Sequence, residues 1–341
     1  MRVLYVADPF LPVPPVFYGG VERIVASLLR EAQARGHEVA LAAHPDSRYC
    51  GAPLFPLVGG PRPSTRDTFY NMRQVKRAVD KFQPDLVHSS ARLAYLSMLF
   101  SSALPKIMTF HREPTPHTVH WAARLHGKAV TFTGCSASIT RRGQLCGGRW
   151  EEVASGIDLH RYVYQPEVPL DSPLVFLSRI EPVKGAHHAI AAARSSGREL
   201  TLAGNRDENS AYWKNEIAPH LGRNGISYIG PVNDLQKNEL LGRAGALLVP
   251  IGWEEPFGLV FTEALACGTP VISFRRGALP EIVEHGRHGF LCDDPSELPA
   301  SIKKIHLIDR AACRRRIEER FTSALMFARY ENLYHRLAPA P

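Results

Sequence analysis

What this sequence does without narrows its chemistry. None of its six cysteines, at Cys50, Cys135, Cys146, Cys267, Cys292 and Cys313, stands in a C-x-x-C pair, which removes the spacing of a structural zinc site or a dithiol redox motif. They are expected as reduced, structural thiols. No G-x-G-x-x-G follows the first apolar run, so the signature of a plain dinucleotide dehydrogenase is missing. The longest apolar stretch, around Leu93–Leu104, is broken by serines and falls short of a membrane span. The opening run Met1–Ala7 is too short for a secretion signal and ends at Asp8-Pro9. Both absences point to the cytoplasm. The Lys and Arg residues are scattered, with neither zinc-finger spacing nor an RNA-recognition signature, and no nucleic-acid partner is expected.

What is present is a folded chain of 341 residues, 45% hydrophobic and 22% charged. That length exceeds what one hydrophobic core usually serves, and two domains are the natural reading. The formal charge of +8 is uneven: residues 1–167 carry 20 Lys/Arg against 13 Asp/Glu, and residues 168–341 carry 21 against 20. A basic first half suits a phosphorylated ligand or an anionic surface, and equally a solvated face with no partner. The stretch Arg66–Phe82 reads as a basic amphipathic helix carrying Phe69, Met72, Val75 and Phe82. Peripheral membrane contact is conceivable for it, but a surface helix packed on its own domain is the favoured reading.

Short apolar runs rich in β-branched residues alternate with longer amphipathic stretches. Val3–Ala7, Glu38–Ala43, Leu86–His88, Lys106–Thr109 and Val130–Phe132 read as strands, and Val21–Arg35, Arg66–Phe82 and Arg92–Phe100 as helices. Alternation of this kind predicts a parallel sheet covered on both faces. Asp158–Asp171, with Pro166 and Pro169, breaks the rhythm and reads as an interdomain linker. The rhythm restarts with strands at Leu174–Leu177, Glu199–Ala203, Ile226–Ile229, Ala246–Pro250 and Pro270–Ser273, separated by helical stretches. The expected fold class is therefore α/β, with two doubly wound Rossmann-like domains facing across a cleft, where ligands of open α/β sheets bind.

Three strand-end loops carry the chemistry. Gly19-Gly20 opens the first helix, letting backbone approach a ligand where a helix N-terminus favours an anion; the same pair serves equally as a tight turn with no ligand. Ser178–Gly185 is not a Walker motif, yet it sets Arg179 and Lys184 five apart where both can reach one pyrophosphate. By itself, this pair is better explained as two solvated surface cations. In the third loop Glu255 precedes Glu263 by eight residues with Pro256 and Gly258 between. If the whole stretch is helical, the two carboxylates lie a little over two turns apart, placed to accept hydrogen bonds from a hexose and a ribose while the helix N-terminus faces phosphate. All three loops point at one kind of ligand.

Glu255-x7-Glu263 followed by Ala-x-Ala-x-Gly-x-Pro-Val, Arg179-x4-Lys184-Gly185 and Gly19-Gly20-Val21-Glu22 together resemble the retaining family-4 glycosyltransferases of the GT-B fold, in that family's order and over almost the whole chain. Ser155-Gly156-Ile157-Asp158 is similar to the family's hinge segment, and Gly286–Leu291 to its late Gly-x-x-Gly-Phe segment. Ser155 stands where Asn is common, and Ser178 where Gly is usual. The start from Pro9 to Arg23 is similar to a bacterial subgroup that includes small-molecule transferases of pterin and antibiotic type.

The resemblance implies an acceptor-binding Rossmann-like domain at 1–165, a nucleotide-sugar-binding one at 166–322, and a C-terminal helix at 323–341 crossing back to the first. It implies a hexosyltransferase moving a hexose, with glucose expected, from a nucleotide diphosphate-sugar, with UDP expected, to a small-molecule, glycan or lipid acceptor. Arg179 and Lys184 would neutralise the diphosphate. Glu263 would bind the ribose, and Glu255 would bind the transferred sugar with the amides of Phe257, Gly258 and Leu259. Gly19 and Gly20 would meet the phosphate, and His111 would lie near the sugar. His117, His120 and His126 receive no role, and no metal or other cofactor is expected besides the nucleotide-sugar co-substrate. A sugar-nucleotide epimerase or a phosphorylase on the same architecture remains an alternative, as does a non-catalytic nucleotide-binding module.

Overall fold

The computed structural model describes residues 1–16, 19–126 and 129–338. The chain forms two compact units, one made of Met1–Gly156 together with the chain from Ser323 onward, the other of Ile157–Thr322.

The first unit is built on a parallel seven-stranded sheet. Its strands are β1 (Arg2–Val6), β2 (Glu38–Ala43), β3 (Leu54–Pro56), β4 (Leu86–Ser89), β5 (Lys106–Phe110), β6 (Val130–Gly134) and β7 (Trp150–Glu152), in the order β3-β2-β1-β4-β5-β6-β7. Every pairing is parallel. The helices are α1 (Gly20–Ala34), α2 (Thr65–Phe82), α3 (Pro116–His126) and α4 (Ala137–Gln144). Strands β4, β5 and β6 are buried along their whole length, as a parallel sheet covered on both faces requires. Ser64 and Asp67 close a capping box on α2. That helix turns Val75, Ala78 and Phe82 inward and leaves Phe69 half exposed under the Arg73 guanidinium.

The second unit has β8 (Leu174–Leu177), β9 (Leu200–Ala203), β10 (Ile226–Tyr228), β11 (Ala246–Leu248), β12 (Val271–Phe274) and β13 (Gly289–Cys292), in the order β10-β9-β8-β11-β12-β13, all parallel. Its helices are α5 (Ala186–Ser196), α6 (Asp234–Arg243), α7 (Leu259–Ala266), α8 (Leu279–Ile282), α9 (Leu298–Lys304) and α10 (Arg310–Arg320). In each sheet the strand order reverses at one place, between β1 and β4 in the first and between β8 and β11 in the second. There the connections leave to opposite sides and open a crevice at the carboxyl ends of the strands.

Some elements differ from the sequence reading. Strands β3, β7 and β13 add to the sheets where no run was long enough to announce them. Arg92–Phe100 is a 3₁₀ segment over Leu93–Leu99 rather than an α-helix, and the helical stretch after Glu208 is a π-turn at Trp213–Ile217. The segment Asp158–Asp171 is not a free linker. It belongs to the second unit, where Tyr162 is buried and donates to the Glu263 carboxylate at 2.7 Å.

Helix α11 (Ser323–Leu337) follows the second unit in sequence yet packs in the first. Arg35 and His37 both reach Glu331, at 2.6 and 2.9 Å. Beneath them lies a buried polar network. The Tyr334 hydroxyl bonds His88 Nδ1 at 2.6 Å and the Tyr5 hydroxyl at 3.2 Å, and His88 Nε2 meets Thr109 Oγ1 at 2.8 Å. Thr109 continues to Thr133 and to the Tyr330 hydroxyl at 2.7 and 3.0 Å. The network joins β1, β4, β5 and β6 to α11. Burial holds His88 neutral, with its pKa pushed down from 6.5 to about 3.

Among the described residues no helix is long and apolar enough to cross a membrane, and all six cysteines are free.

Tyr334→Phe strips a buried partner from His88 and is expected to lower unfolding free energy by about 1–3 kcal/mol, read by urea denaturation. Because His88 is neutral when folded and titrates near 6.5 when unfolded, the unfolded state binds the extra proton between these values. Its contribution to stability is complete above pH 6.5 and is lost as pH falls toward 3. A His88→Gln variant should therefore show a shallower decline in urea midpoint between pH 7 and 5 than the parent chain.

Candidate functional site

Two loops meet at the reversal point of the second sheet. One leaves β8 and carries Arg179 and Lys184; the other leaves β11 and carries Trp253 and Glu255. Backbone contacts force them together. The Gly252 amide donates to Val183 O at 2.9 Å. Gly185 has φ +77°, and a Cβ there would stand 2.0 Å from Pro250 O, so only glycine permits the approach.

Lys184 Nζ donates to Glu255 Oε2 at 2.7 Å, and Trp253 Nε1 donates to the same oxygen at 2.8 Å. The ammonium also lies 4.8 Å from the centre of the Trp253 ring, a cation–π geometry. Both ionic side chains are nearly buried, with 10% and 12% exposure. The backbone of Glu255 is braced by a third loop, which follows β12. Ala278 N donates to Glu255 O at 2.9 Å and Gly277 N to Glu254 Oε2 at 2.8 Å. A Cβ on Gly277 would lie 2.2 Å from Glu255 O. Arg179 sits nearer to solvent, paired with Glu181 at 2.5 Å.

Glu255 and Glu263 do not lie on one continuous helix, contrary to the helical reading of that stretch. Residues 255–257 are loop with a bend at Pro256, Gly258 turns the chain at φ +86°, and α7 begins only at Leu259. Pro256 therefore stands before the helix rather than in its first turn. A Cβ at Gly258 would meet the Phe261 ring at 2.6 Å and Glu255 Cγ at 3.1 Å, which is why the turn takes glycine. Phe257 is buried against Phe321. The amides at the start of α7 have no carbonyl of their own helix to meet.

Glu263 belongs to a second cluster on α7. Its Oε1 accepts from Tyr162 OH at 2.7 Å and from Lys237 Nζ at 2.6 Å, and the residue is 6% exposed. Lys237 comes from α6, where Asn233 and Gln236 form a capping box. Three residues in these clusters had no signal in the sequence reading. Trp253 and Lys237 sit outside the motif, and Tyr162 lay in the presumed linker. Lys237 follows a recognisable helix cap, but nothing in one sequence pairs it with a carboxylate 26 residues on.

The reversal point of the first sheet holds the remaining residues. Gly19 precedes α1, and Gly20 is its first residue. A Cβ on Gly19 would lie 2.7 Å from that of Pro15 and 3.0 Å from Glu22 Oε2. Phe17 and Tyr18, the end of the loop, lie outside the described residues, as does the side chain of His126. His111 follows β5 and its Nε2 lies 3.2 Å from Ser90 Oγ. Burial, reinforced by the Arg112 charge, pushes His111 down to about 4, so the ring is neutral at physiological pH. His111 and Ser90 border a cavity of about 840 Å³ lined by residues of this unit, with Val21 and Glu22 of α1 also in its lining. Asp8, on its floor, is 3.8 Å from Arg92 and 4.0 Å from Arg112. Burial raises the Asp8 carboxyl above its usual range despite both cations. It raises Glu22 as well, helped by the nearby Asp8 charge. His117 bonds Trp121 Nε1 at 3.0 Å, and His120 lies edge-on to the same ring. Among the described residues no group of three or more His, Cys, Asp or Glu could hold a metal ion.

Comparison with known proteins bears on the family and the fold. Residues 169–320 match the family model described as glycosyl transferases group 1, and residues 18–161 match that of glycosyltransferase family 4. Glycogen synthase of Mycobacterium tuberculosis is 28% identical, over 93% of this chain and 88% of that protein. A phosphatidyl-myo-inositol mannosyltransferase of Mycolicibacterium smegmatis is 27% identical, over 89% and 84%. Among solved structures, AviGT4, a glycosyltransferase involved in avilamycin A biosynthesis, superposes with a TM-score of 0.72 at 24% identity, covering 99% of this chain and 98% of that one. Anabaena HepE in complex with UDP gives 0.80 at 19% identity, covering 98% and 100%, and its UDP-glucose complex gives 0.75. With two parallel α/β units and both halves of the chain matched, this protein belongs to the family-4 glycosyltransferases of the GT-B fold, enzymes that act on nucleotide sugars.

Proposed function

We propose that the enzyme transfers glucose from UDP-glucose to an acceptor hydroxyl in the cytoplasm, with retention of the anomeric configuration. The observation that carries the reading is the Lys184–Glu255–Trp253 cluster at the reversal point of the second sheet, beside Arg179 and the start of α7. Its parts match the needs of a sugar diphosphate: cations for the phosphates, a carboxylate for sugar hydroxyls, free amides at a helix start. The HepE complexes with UDP and UDP-glucose support the choice of donor.

Lys184 and Glu255 satisfy each other in the structure. On donor binding the diphosphate takes up the Lys184 ammonium and the sugar hydroxyls take up the Glu255 carboxylate, so one ion pair is replaced by two charge-assisted contacts. Arg179 and Lys184 then oppose the charge that grows on the leaving diphosphate. Phe257, Gly258 and Leu259 contribute amides, and Glu263, held in place by Tyr162 and Lys237, receives the ribose diol. The bond from the anomeric carbon to the β-phosphate oxygen breaks as the acceptor oxygen bonds to that carbon on the same face. The acceptor proton passes to the departing phosphate oxygen. No metal is assigned a step.

A thermal-shift series with UDP-, GDP-, ADP- and TDP-sugars should show the largest rise in Tm with the UDP-sugar. The product should keep the donor's anomeric configuration by NMR; an inverted product, or a stable glycosyl-enzyme adduct, sinks the retaining front-face route. Epimerised donor formed without acceptor would replace transfer by epimerisation, and sugar phosphate formed from glycan and free phosphate would make the enzyme a phosphorylase. Glu255→Ala and Lys184→Ala should each lower kcat on the order of 10²–10³-fold, and an unchanged rate would remove these residues from the site. Tyr162→Phe removes one of two donors to Glu263 and should raise the donor KM while leaving kcat nearly unchanged. Steady-state kinetics with varied donor read this directly.

A further inference from the structure

The cavity of the first unit is two-sided. Its polar floor is Asp8, Ser90, Arg92, His111 and Arg112. Its wall is apolar and includes residues that a folded chain usually hides. Phe10 is 47% exposed, Trp121 47% and Leu125 66%, and all three border this one cavity. Trp121 and Leu125 stand four apart on α3, one turn beyond His117, so they form a single stripe on that helix. The His117 bond to Trp121 Nε1 fixes the indole and satisfies its only donor within the wall. Phe100 and Met108 extend the apolar lining. Single exposed apolar residues need no explanation, but three large ones around one concavity mark a surface kept for a ligand.

Charge narrows the ligand further. The two cations on the floor, Arg92 and Arg112, both face Asp8. Two more carboxylates, Glu22 and Glu113, stand in the lining, Glu113 being offset by an ion pair with Arg142 outside it. Arg92 and Arg112 share the one Asp8 carboxylate, but over the whole lining three carboxylates stand against these two cations, so the cavity holds no net positive charge for a phosphate or sulfate. The volume, about 840 Å³, lies in the upper part of the range that holds drug-sized ligands, about 300–1,000 Å³.

We propose that this cavity binds the acceptor, and that the acceptor is an uncharged, ring-bearing alcohol or phenol. Its rings lie against Trp121, Phe10 and Leu125, and its hydroxyl points to the Asp8–Ser90–His111 floor. The assignment rests on the reading that the second unit holds the nucleotide-sugar, which leaves the first for the acceptor. A polyol such as an oligosaccharide can stack on Trp121 but offers Phe10, Leu125, Phe100 and Met108 less apolar area than a ring-bearing alcohol does, and an anionic acceptor meets more carboxylates than cations in the lining.

The test is direct binding by isothermal titration calorimetry in the absence of donor, with three probes. These are 2-naphthol as the neutral phenol, naphthalene-2-sulfonate as its anionic counterpart, and maltotriose as the polyol. Saturable binding is expected for 2-naphthol, weaker binding for the sulfonate and none for maltotriose. Trp121→Ala should weaken 2-naphthol about tenfold, the loss expected for one aromatic contact. Leu125→Ser, at a still more exposed position, should weaken it in the same direction, and neither should alter the thermal shift produced by UDP. Tighter binding of maltotriose or of the sulfonate than of 2-naphthol overturns the assignment, and so does unchanged 2-naphthol affinity in both variants. If 2-naphthol behaves as expected while UDP produces no thermal shift, the donor reading fails and the aromatic-alcohol pocket stands.

Discussion

The ion pair between Lys184 and Glu255 is the constraint around which the second unit is arranged. Two opposite charges are brought to near burial, which is tolerable only with close geometry and further hydrogen bonds. Trp253 supplies one such bond, and its ring lies against the ammonium. Holding three side chains in register requires the loops after β8 and β11 to touch. That contact depends on Gly185, whose missing side chain lets the loop lie against Pro250. The loop after β12 must then press on the Glu255 backbone, where Gly277 is the only residue type that fits. The strand order places β8 beside β11 and β11 beside β12, which sets the three loops side by side.

Under the proposed function the pair has something to exchange, because a diphosphate and a sugar hydroxyl would each replace one half of it. Glu263 is held differently. Its partners Tyr162 and Lys237 come from other elements of the same unit and both bond its Oε1, separately from the first cluster. In the first unit the equivalent organiser is the Tyr5–His88–Tyr334 network. It anchors a helix from the far end of the chain onto the sheet whose strand ends carry Asp8 and His111.

Much of this was legible in sequence and some was not, for identifiable reasons. The alternation of buried strands with amphipathic helices is a local periodicity and survived intact for the longer elements. The three-residue strands β3 and β7 carry too little pattern, and hydrogen bonds to their neighbours alone make them strands. The helical extrapolation from Glu255 to Glu263 failed because the chain must first turn at Gly258 to bring Glu255 against Lys184. The proline-rich stretch after Asp158 looked like a linker because prolines break periodicity, yet burial of Tyr162 ties it to the second unit.

By itself the sequence determined the α/β class, the spacing of the Arg179–Lys184 and Glu255–Glu263 motifs, and their placement at strand ends. These follow from interactions between residues close in the chain, which periodicity and turn chemistry record. Only the tertiary structure decided that Lys184 pairs with Glu255, that Tyr162 and Lys237 hold Glu263, and that Trp121, Phe10 and Leu125 border one cavity with Asp8. Hydrogen bonds, ion pairs and cavities act over a few ångströms in space, and a linear sequence carries no measure of that distance.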